Sequence, residues 1–201
     1  MTEVKPYPVT ITGELSEPPG QWQWLLKWIL AIPHYIVLFF LGIASFFITV
    51  IAFFAILFTG KYPRELFDFN VSVIRWNWRV GFYAYQALGT DRYPPFSLTA
   101  GGYPADLDVV YPETLSRGLV LIKWWLLAIP HYIIITVFQG GRNWMGPVPV
   151  LALISAIVLL FTGKYPEDLF KLIIGMDRWT YRVNAYAMLM TDDYPPFRLW
   201  D

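Results

Sequence analysis

The chain has 201 residues, of which 56 % are apolar and 15 % are charged, and its formal net charge is zero. A soluble domain usually contains about 25 % charged residues, so the deficit predicts an integral membrane protein. The zero net charge argues against a general attraction to nucleic acid. The absence of cysteine excludes disulfides and thiolate metal sites.

Each half of the chain is predicted to begin with an apolar helical hairpin. Residues 25–58 contain one charge, Lys27, and exceed one ordinary membrane span of about 20 residues. We therefore predict a hairpin over about 24–58, with the arms dividing near residue 44. In the second half, a turn-like segment at 139–149 interrupts the apolar sequence, which predicts a hairpin over about 119–161.

An amphipathic helix is predicted after each hairpin. Gly60 follows the first apolar run, where helix C-caps favour glycine, and Pro63 suits the first turn of a new helix. The second half has the same spacing, so we predict helices over about 64–88 and 167–189. Their mixture of aromatic, aliphatic and arginine side chains is typical of a helix in the membrane interface.

Short extended segments precede the hairpins. Residues 8–13 and 105–111 alternate weakly between apolar and polar side chains, which predicts a small β element outside the bilayer. The predicted fold is therefore an all-α membrane protein with two hairpins, two interfacial helices and small β elements on the cytoplasmic side.

Four motifs occur twice in the same order, which indicates a tandem duplication. They are AIPHY (31–35 and 128–132), FTGKYP (58–63 and 161–166), RW-x-x-RV (75–80 and 178–183) and TD-x-YPPF (90–96 and 191–197). Gapless alignment of 58–84 with 161–187 gives identity at 14 of 27 positions. We predict copies at 1–100 and 101–201.

Taken together, these motifs resemble the bacterial membrane family catalogued as domain of unknown function 4389, over about 22–199. The resemblance implies a bacterial inner-membrane protein. It implies no reaction, because the family is uncharacterised by name. The second copy departs from the first at Asp193, which replaces Arg92, and at Asp177, which replaces Ile74.

The distribution of basic residues predicts the orientation. Of the 15 Lys and Arg residues, only Arg142 falls in the turn of a predicted hairpin. The positive-inside rule then predicts a multi-pass protein with both termini in the cytoplasm. Because each hairpin would return to its starting side, the copies are predicted to be related by an axis along the membrane normal.

The two histidines, His34 and His131, occupy matching positions inside apolar segments. An ionisable group within a membrane helix indicates function by default. A structural role is equally physical, because Pro33 frees a backbone carbonyl to which a histidine could donate a hydrogen bond. Without carboxylates nearby in the sequence they make a weak metal site, so we predict no metal and no cofactor.

Each predicted interfacial helix carries arginines and tryptophans that are candidates for binding anionic lipids or a partner. The candidates are Arg75, Trp76, Arg79, Arg178, Trp179 and Arg182. The arginines could instead pair with Asp91, Asp192 or Asp177 and fix the helix on the hairpin. Asp193 adjoins Asp192, and such carboxylates can serve acid–base chemistry. No nucleophile motif accompanies them, so we predict a turn there and no catalytic residue.

Three functions remain open from the sequence. The favoured one is a non-catalytic module that organises partner proteins or anionic lipids at the cytoplasmic membrane face. The alternatives are a small transporter or channel subunit that uses His34 and His131, and a membrane enzyme acting on lipid. The expected partners are the lipid bilayer, anionic lipids, and other membrane proteins or further copies of the chain.

Overall fold

The computed structural model describes residues 6–15, 19–141 and 144–200. It is mostly helical with small strands, as predicted. Its elements are β1 (Val9–Gly13), α1 (Trp24–Thr59), α2 (Arg64–Tyr83), β2 (Ala105–Val109), α3 (Leu119–Ile122), a π-helical turn (Lys123–Leu127), α4 (Ile129–Gln139), β3 (Gly140–Gly141), β4 (Trp144–Met145), α5 (Pro147–Thr162) and α6 (Glu167–Ala187). Arg142, on which part of the orientation prediction depends, lies outside the described residues.

α1 is one uninterrupted helix of 36 residues, so the hairpin predicted over 24–58 is wrong. At about 1.5 Å per residue its length is about 54 Å. The segment offers no turn chemistry, because Gly42 is its one glycine and the helix continues past Pro33. The predicted cap is present: Gly60 has φ 72° and donates its N–H to the Ile56 carbonyl.

In the second copy the corresponding path is interrupted once, by a loop. β3 and β4 pair antiparallel and bring Gly146 back against Gly140, so that a Cβ at Gly146 would lie 2.3 Å from the Gly140 nitrogen. β3 and β4 therefore form the two sides of an excursion from the helical path. The interval between AIPHY and FTGKYP is six residues longer in the second copy.

The contacts of α6 with α4 determine the direction in which α5 runs. Asp177, in the middle of α6, contacts Gln139, and Trp179 contacts His131. The N-terminal half of α6 therefore lies beyond Gln139. Since α5 starts beside Gln139 and ends just before α6 begins, it continues in the direction of α4. The two arms predicted as a hairpin over 119–161 thus run one after the other; we call residues 119–162 the second arm.

α2 runs back along α1, and α6 runs back along the second arm. Asn70 contacts Ser45, and further along α2 Trp76 contacts His34. α2 is largely buried, and its apolar stripe, which includes Trp78, faces the protein core. The amphipathic pattern that predicted an interfacial helix therefore serves packing within the protein.

The strand of each copy packs on the long amphipathic helix of the other copy. β1 pairs antiparallel with β2, and β2 packs on α2 while β1 packs on α6. The central pair is Ile11 and Leu107, which are repeat counterparts, because Tyr7-Pro8 recurs as Tyr103-Pro104.

A second pair of counterparts also meets. The rings of Trp78 and Tyr181 pack with their centroids 5.3 Å apart. Together with Ile11 and Leu107, this pair defines a pseudo-twofold axis between the copies. The axis runs through the sheet and between α2 and α6.

Candidate functional site

A buried lysine in each copy is paired with the aspartate of the TD-x-YPPF motif. Lys27 Nζ lies 2.7 Å from Asp91 Oδ1 and donates to the Thr90 carbonyl at 2.8 Å. Only 1 % of the Lys27 side chain is exposed. The Asp91 carboxylate also accepts a hydrogen bond from the Gly20 backbone N–H.

The second copy repeats this arrangement. Lys123 Nζ lies 2.7 Å from Asp192 Oδ1 and donates to the Thr191 carbonyl at 3.0 Å. The Ser116 N–H donates to Asp192 at 2.6 Å. Asp91 and Asp192, which the sequence offered as alternative partners for the arginines, therefore pair with lysines. Our sequence interpretation missed both lysines as site residues, although Lys-Trp recurs upstream of each histidine.

The spacing between lysine and histidine differs between the copies, and the π-helical turn compensates for the difference. His34 follows Lys27 by seven residues, whereas His131 follows Lys123 by eight. One additional residue would rotate the lysine by about 100° in a regular helix. The turn absorbs this residue, and the Ala128 N–H reaches back to the Lys123 carbonyl at 3.1 Å. The lysine thus keeps the same partners in both copies.

Each histidine lies in an aromatic cage. Trp76 Nε1 donates to His34 Nδ1 at 3.1 Å, and the Phe96 ring stacks on the imidazole with centroids 3.9 Å apart. Tyr93 completes the cage. The second cage consists of His131, Trp179, Tyr194 and Phe197, and Trp179 donates at 3.0 Å.

The tryptophan bond fixes the state of each histidine. An indole N–H is a donor only, so Nδ1 must be unprotonated and the imidazole neutral while the bond exists. The predicted bond from histidine to a carbonyl freed by Pro33 is not the one formed. The carbonyl that Pro33 frees is that of Ile29, and His34 Nε2 has no hydrogen-bond partner among the described residues. The Tyr93 hydroxyl donates to the neighbouring Leu30 carbonyl at 3.0 Å. This geometry favours the structural interpretation of His34.

The arginines of α2 attach the helix to β2. Arg75 Nε donates to the Leu107 carbonyl at 2.7 Å and lies 3.0 Å from Asp106. Arg79 Nη2 also reaches Asp106, at 3.2 Å, and both arginines are buried. Their guanidinium groups thus serve an internal contact, whereas Trp76 belongs to the histidine cage.

The arginines of α6 contact a different part of the chain from those of α2. Arg178 and Arg182 approach the backbone carbonyls of Leu199 and Arg198, each at 3.4 Å. β1 carries Thr10 and Thr12 at the positions of Asp106 and Asp108 in β2. Trp179 lies in the second histidine cage. The structure therefore divides the predicted cluster of six residues among the histidine cages, contacts with β2 and contacts with residues 198–199.

Asp177 is a buried acid that the first copy lacks. It is 0 % exposed and accepts a hydrogen bond from Gln139 Nε2 at 3.3 Å. Burial raises the pKa of this carboxyl to about 8. The counterparts of Asp177 and Gln139 in the first copy are Ile74 and Gly42, so both members of the pair differ together.

A groove of about 700 Å³ lies between the two copies. Its walls come from the middle of α1, the adjacent face of α2, Trp124 and residues 184–189. Apolar side chains dominate, and no lining residue is charged. The polar lining groups are Ser45, Thr49, Asn77 and Asn184. Gly42 borders the groove, and a Cβ there would meet no atom within 4 Å.

Two helices, Trp24–Thr59 and Leu119–Gln139, are long and apolar enough to cross a membrane. Only 17 % and 22 % of their most apolar windows are buried, unlike the core helices of a soluble protein. Among the described residues, no group of three His, Asp or Glu side chains could hold a metal ion.

Comparison with known proteins agrees with the duplicated architecture. No curated protein and no solved structure shows significant similarity to the chain. One family model, described as "Domain of unknown function (DUF4389)", matches residues 21–97 and 119–198. Each matched segment contains one lysine–aspartate pair and one histidine cage. The chain therefore belongs to the DUF4389 family and contains two tandem copies of its domain.

Proposed function

We propose that this protein is a non-catalytic membrane module that binds lipid in the groove between its two copies and organises it at the cytoplasmic face. The groove carries the proposal, because it is a large apolar opening that the internal packing leaves unfilled. Phe46 and Phe54 line the groove and also belong to the exposed apolar surface of α1. The groove is thus continuous with the surface that lipid would cover.

The chemistry of the lining favours the hydrocarbon part of a lipid. Binding of an acyl chain in an uncharged apolar groove is favourable because it removes the apolar surfaces of chain and groove from water. The groove offers no partner for a charged ligand. Arg75 and Arg79, two of the four arginines predicted as sites for anionic head groups, are committed to Asp106. The proposal therefore assigns recognition to the acyl chain.

The polar motif residues support a non-catalytic role. Asp91 and Asp192, which motivated the enzyme hypothesis, are each held by a lysine and a backbone N–H. The histidines, which motivated the transporter hypothesis, are buried, and each accepts a hydrogen bond from a buried tryptophan. These contacts indicate a structural role for the aspartates and histidines in both copies.

Photocrosslinking tests the groove. The purified protein is reconstituted with phosphatidylcholine that carries a photoreactive diazirine in one acyl chain, and crosslinked peptides are mapped by mass spectrometry. We expect crosslinks concentrated at residues 45–54 and 184–189, and their loss in Gly42→Trp, which fills the groove. Ile43→Trp, which places the same side chain outside the lining, is the matched control. Crosslinks spread evenly along α1 and unaffected by Gly42→Trp would contradict the proposal.

A further inference from the structure

The two long apolar segments run in opposite directions. The Leu115 N–H donates to the Gly60 carbonyl at 2.8 Å, which places the start of the second arm beside the end of α1. Gly163, just past the end of the second arm, lies against Gln21 near the start of α1. A twofold axis that exchanges two antiparallel segments is perpendicular to both. The pseudo-twofold axis, which passes between Ile11 and Leu107, is therefore perpendicular to α1 and to the second arm.

This geometry conflicts with a spanning orientation. If α1 crossed a bilayer, the axis would lie in the membrane plane and place the β1–β2 sheet at mid-depth. The sheet carries Asp108, whose side chain is 73 % exposed, and Asp106, whose side chain is 35 % exposed. A two-stranded sheet also has two open edges. Open sheet edges do not occur facing hydrocarbon, and charged side chains there cost several kcal/mol.

The length of α1 conflicts with spanning as well. Its exposed apolar surface extends from Leu26, which is 59 % exposed, to Phe58, which is 70 % exposed. This distance is about 48 Å, whereas the hydrocarbon core is about 30 Å thick. A tilt of about 50° would be needed to immerse it, and transmembrane helices tilt by about 0–40°.

We propose that the protein lies flat in one leaflet of the bilayer, with α1 and the second arm parallel to the membrane plane. The two segments form an apolar layer one helix thick, about 10–12 Å, which fits within a leaflet whose hydrocarbon is about 15 Å deep. α2 and α6 lie above this layer, and the polar sheet faces water. The partner of the apolar surface is a single lipid leaflet. This inference rests on the proposed membrane association, but not on the groove.

The absence of cysteine allows a direct test with introduced thiols. Gln21 and Lys61 lie at opposite ends of α1, and both are exposed. The double variant Gln21→Cys/Lys61→Cys is reconstituted in vesicles and treated with a membrane-impermeant maleimide, and the labels on each intact chain are counted by mass spectrometry. In a flat protein both thiols lie on the same side of the bilayer. Each chain therefore carries two labels if it lies in the outer leaflet and none if it lies in the inner leaflet. One label on each chain would show that α1 spans the bilayer and would overturn the proposal.

Depth measurements give an independent readout. Nitroxide labels at Leu26→Cys, Phe40→Cys and Phe58→Cys report their distance from the bilayer centre through collisions with oxygen and a polar nickel reagent. We expect the three labels at one similar depth within a leaflet. A deep Phe40 label between two shallow ends would overturn the flat orientation. Failure of the protein to float with vesicles would instead overturn the proposed membrane function itself.

Discussion

The ammonium group of Lys123 lies 2.7 Å from the carboxylate of Asp192, the same distance that separates Lys27 from Asp91 in the first copy. The contact is kept although the second copy has an additional residue between lysine and histidine. The fold thus accommodates an insertion through a π-helical turn and leaves the buried ion pair unchanged.

Removing one partner of the buried pair should destabilise the protein strongly. We expect Lys27→Met to lower the free energy of unfolding by about 3–5 kcal/mol, because it leaves the Asp91 carboxylate without its cation. The double variant Lys27→Met/Asp91→Asn should recover part of this loss. Denaturant unfolding in detergent measures both. Lys61→Met, at an exposed lysine, is the control, and an equal loss in that variant would contradict the assignment.

Shortening the π-helical turn should be tolerated. Deleting Trp125, which is 47 % exposed, should convert the turn to regular helix and restore the spacing of the first copy. We expect the unfolding temperature to stay the same or rise. Deleting Ile29 is the matched change in α1, and it should destabilise the protein because it rotates Lys27 away from Asp91. Equal losses from the two deletions would contradict the proposed role of the turn.

The bond between Trp76 and His34 should be measurable as a coupling energy. His34→Phe keeps a ring against Phe96 but leaves the indole N–H of Trp76 buried without its acceptor, at a cost of about 1–3 kcal/mol. Trp76→Phe in the same background removes that unsatisfied donor. A double-mutant cycle should give a coupling of about 0.5–1.5 kcal/mol. Additive effects of the two substitutions would argue against a formed hydrogen bond.

Asp177 should make stability fall as pH rises. Its folded pKa, about 8, lies above the unfolded value of about 4, so the folded state binds more protons between these values. Its contribution is complete below about pH 4 and is lost progressively as pH rises towards about 8. Unfolding temperatures between pH 5 and 9 should therefore decline in the native chain and decline less in Asp177→Asn. Asp168→Asn, at an exposed position, should leave the slope unchanged.

The local features of the fold were predictable because they depend on residues close in the sequence. Gly60 and Pro63 marked a helix end and a new helix, and both strands formed within the predicted segments. The hairpins were mispredicted because we took the usual length of a membrane span as a limit for α1. The excursion whose sides are β3 and β4 was then mistaken for the turn of a hairpin.

The partners within the site were harder to predict because they are distant in the chain. Asp91 follows Lys27 by 64 residues, and no local pattern links them. The arginines had several carboxylates within plausible reach, and the packing of β2 on α2 decided in favour of Asp106. The path of α2 back along α1 brings Asp91 to Lys27.

The exchange of strands between the copies has a consequence for how the domain exists at all. β1 lies on the helix of the second copy, and β2 lies on the helix of the first, so neither half contains its own complete core. A protein with a single copy would have to recover the missing strand from another chain. The antiparallel ladder centred on Ile11 and Leu107 is already the geometry of a symmetric dimer. The tandem chain is therefore equivalent to a dimer whose two subunits have been joined into one polypeptide.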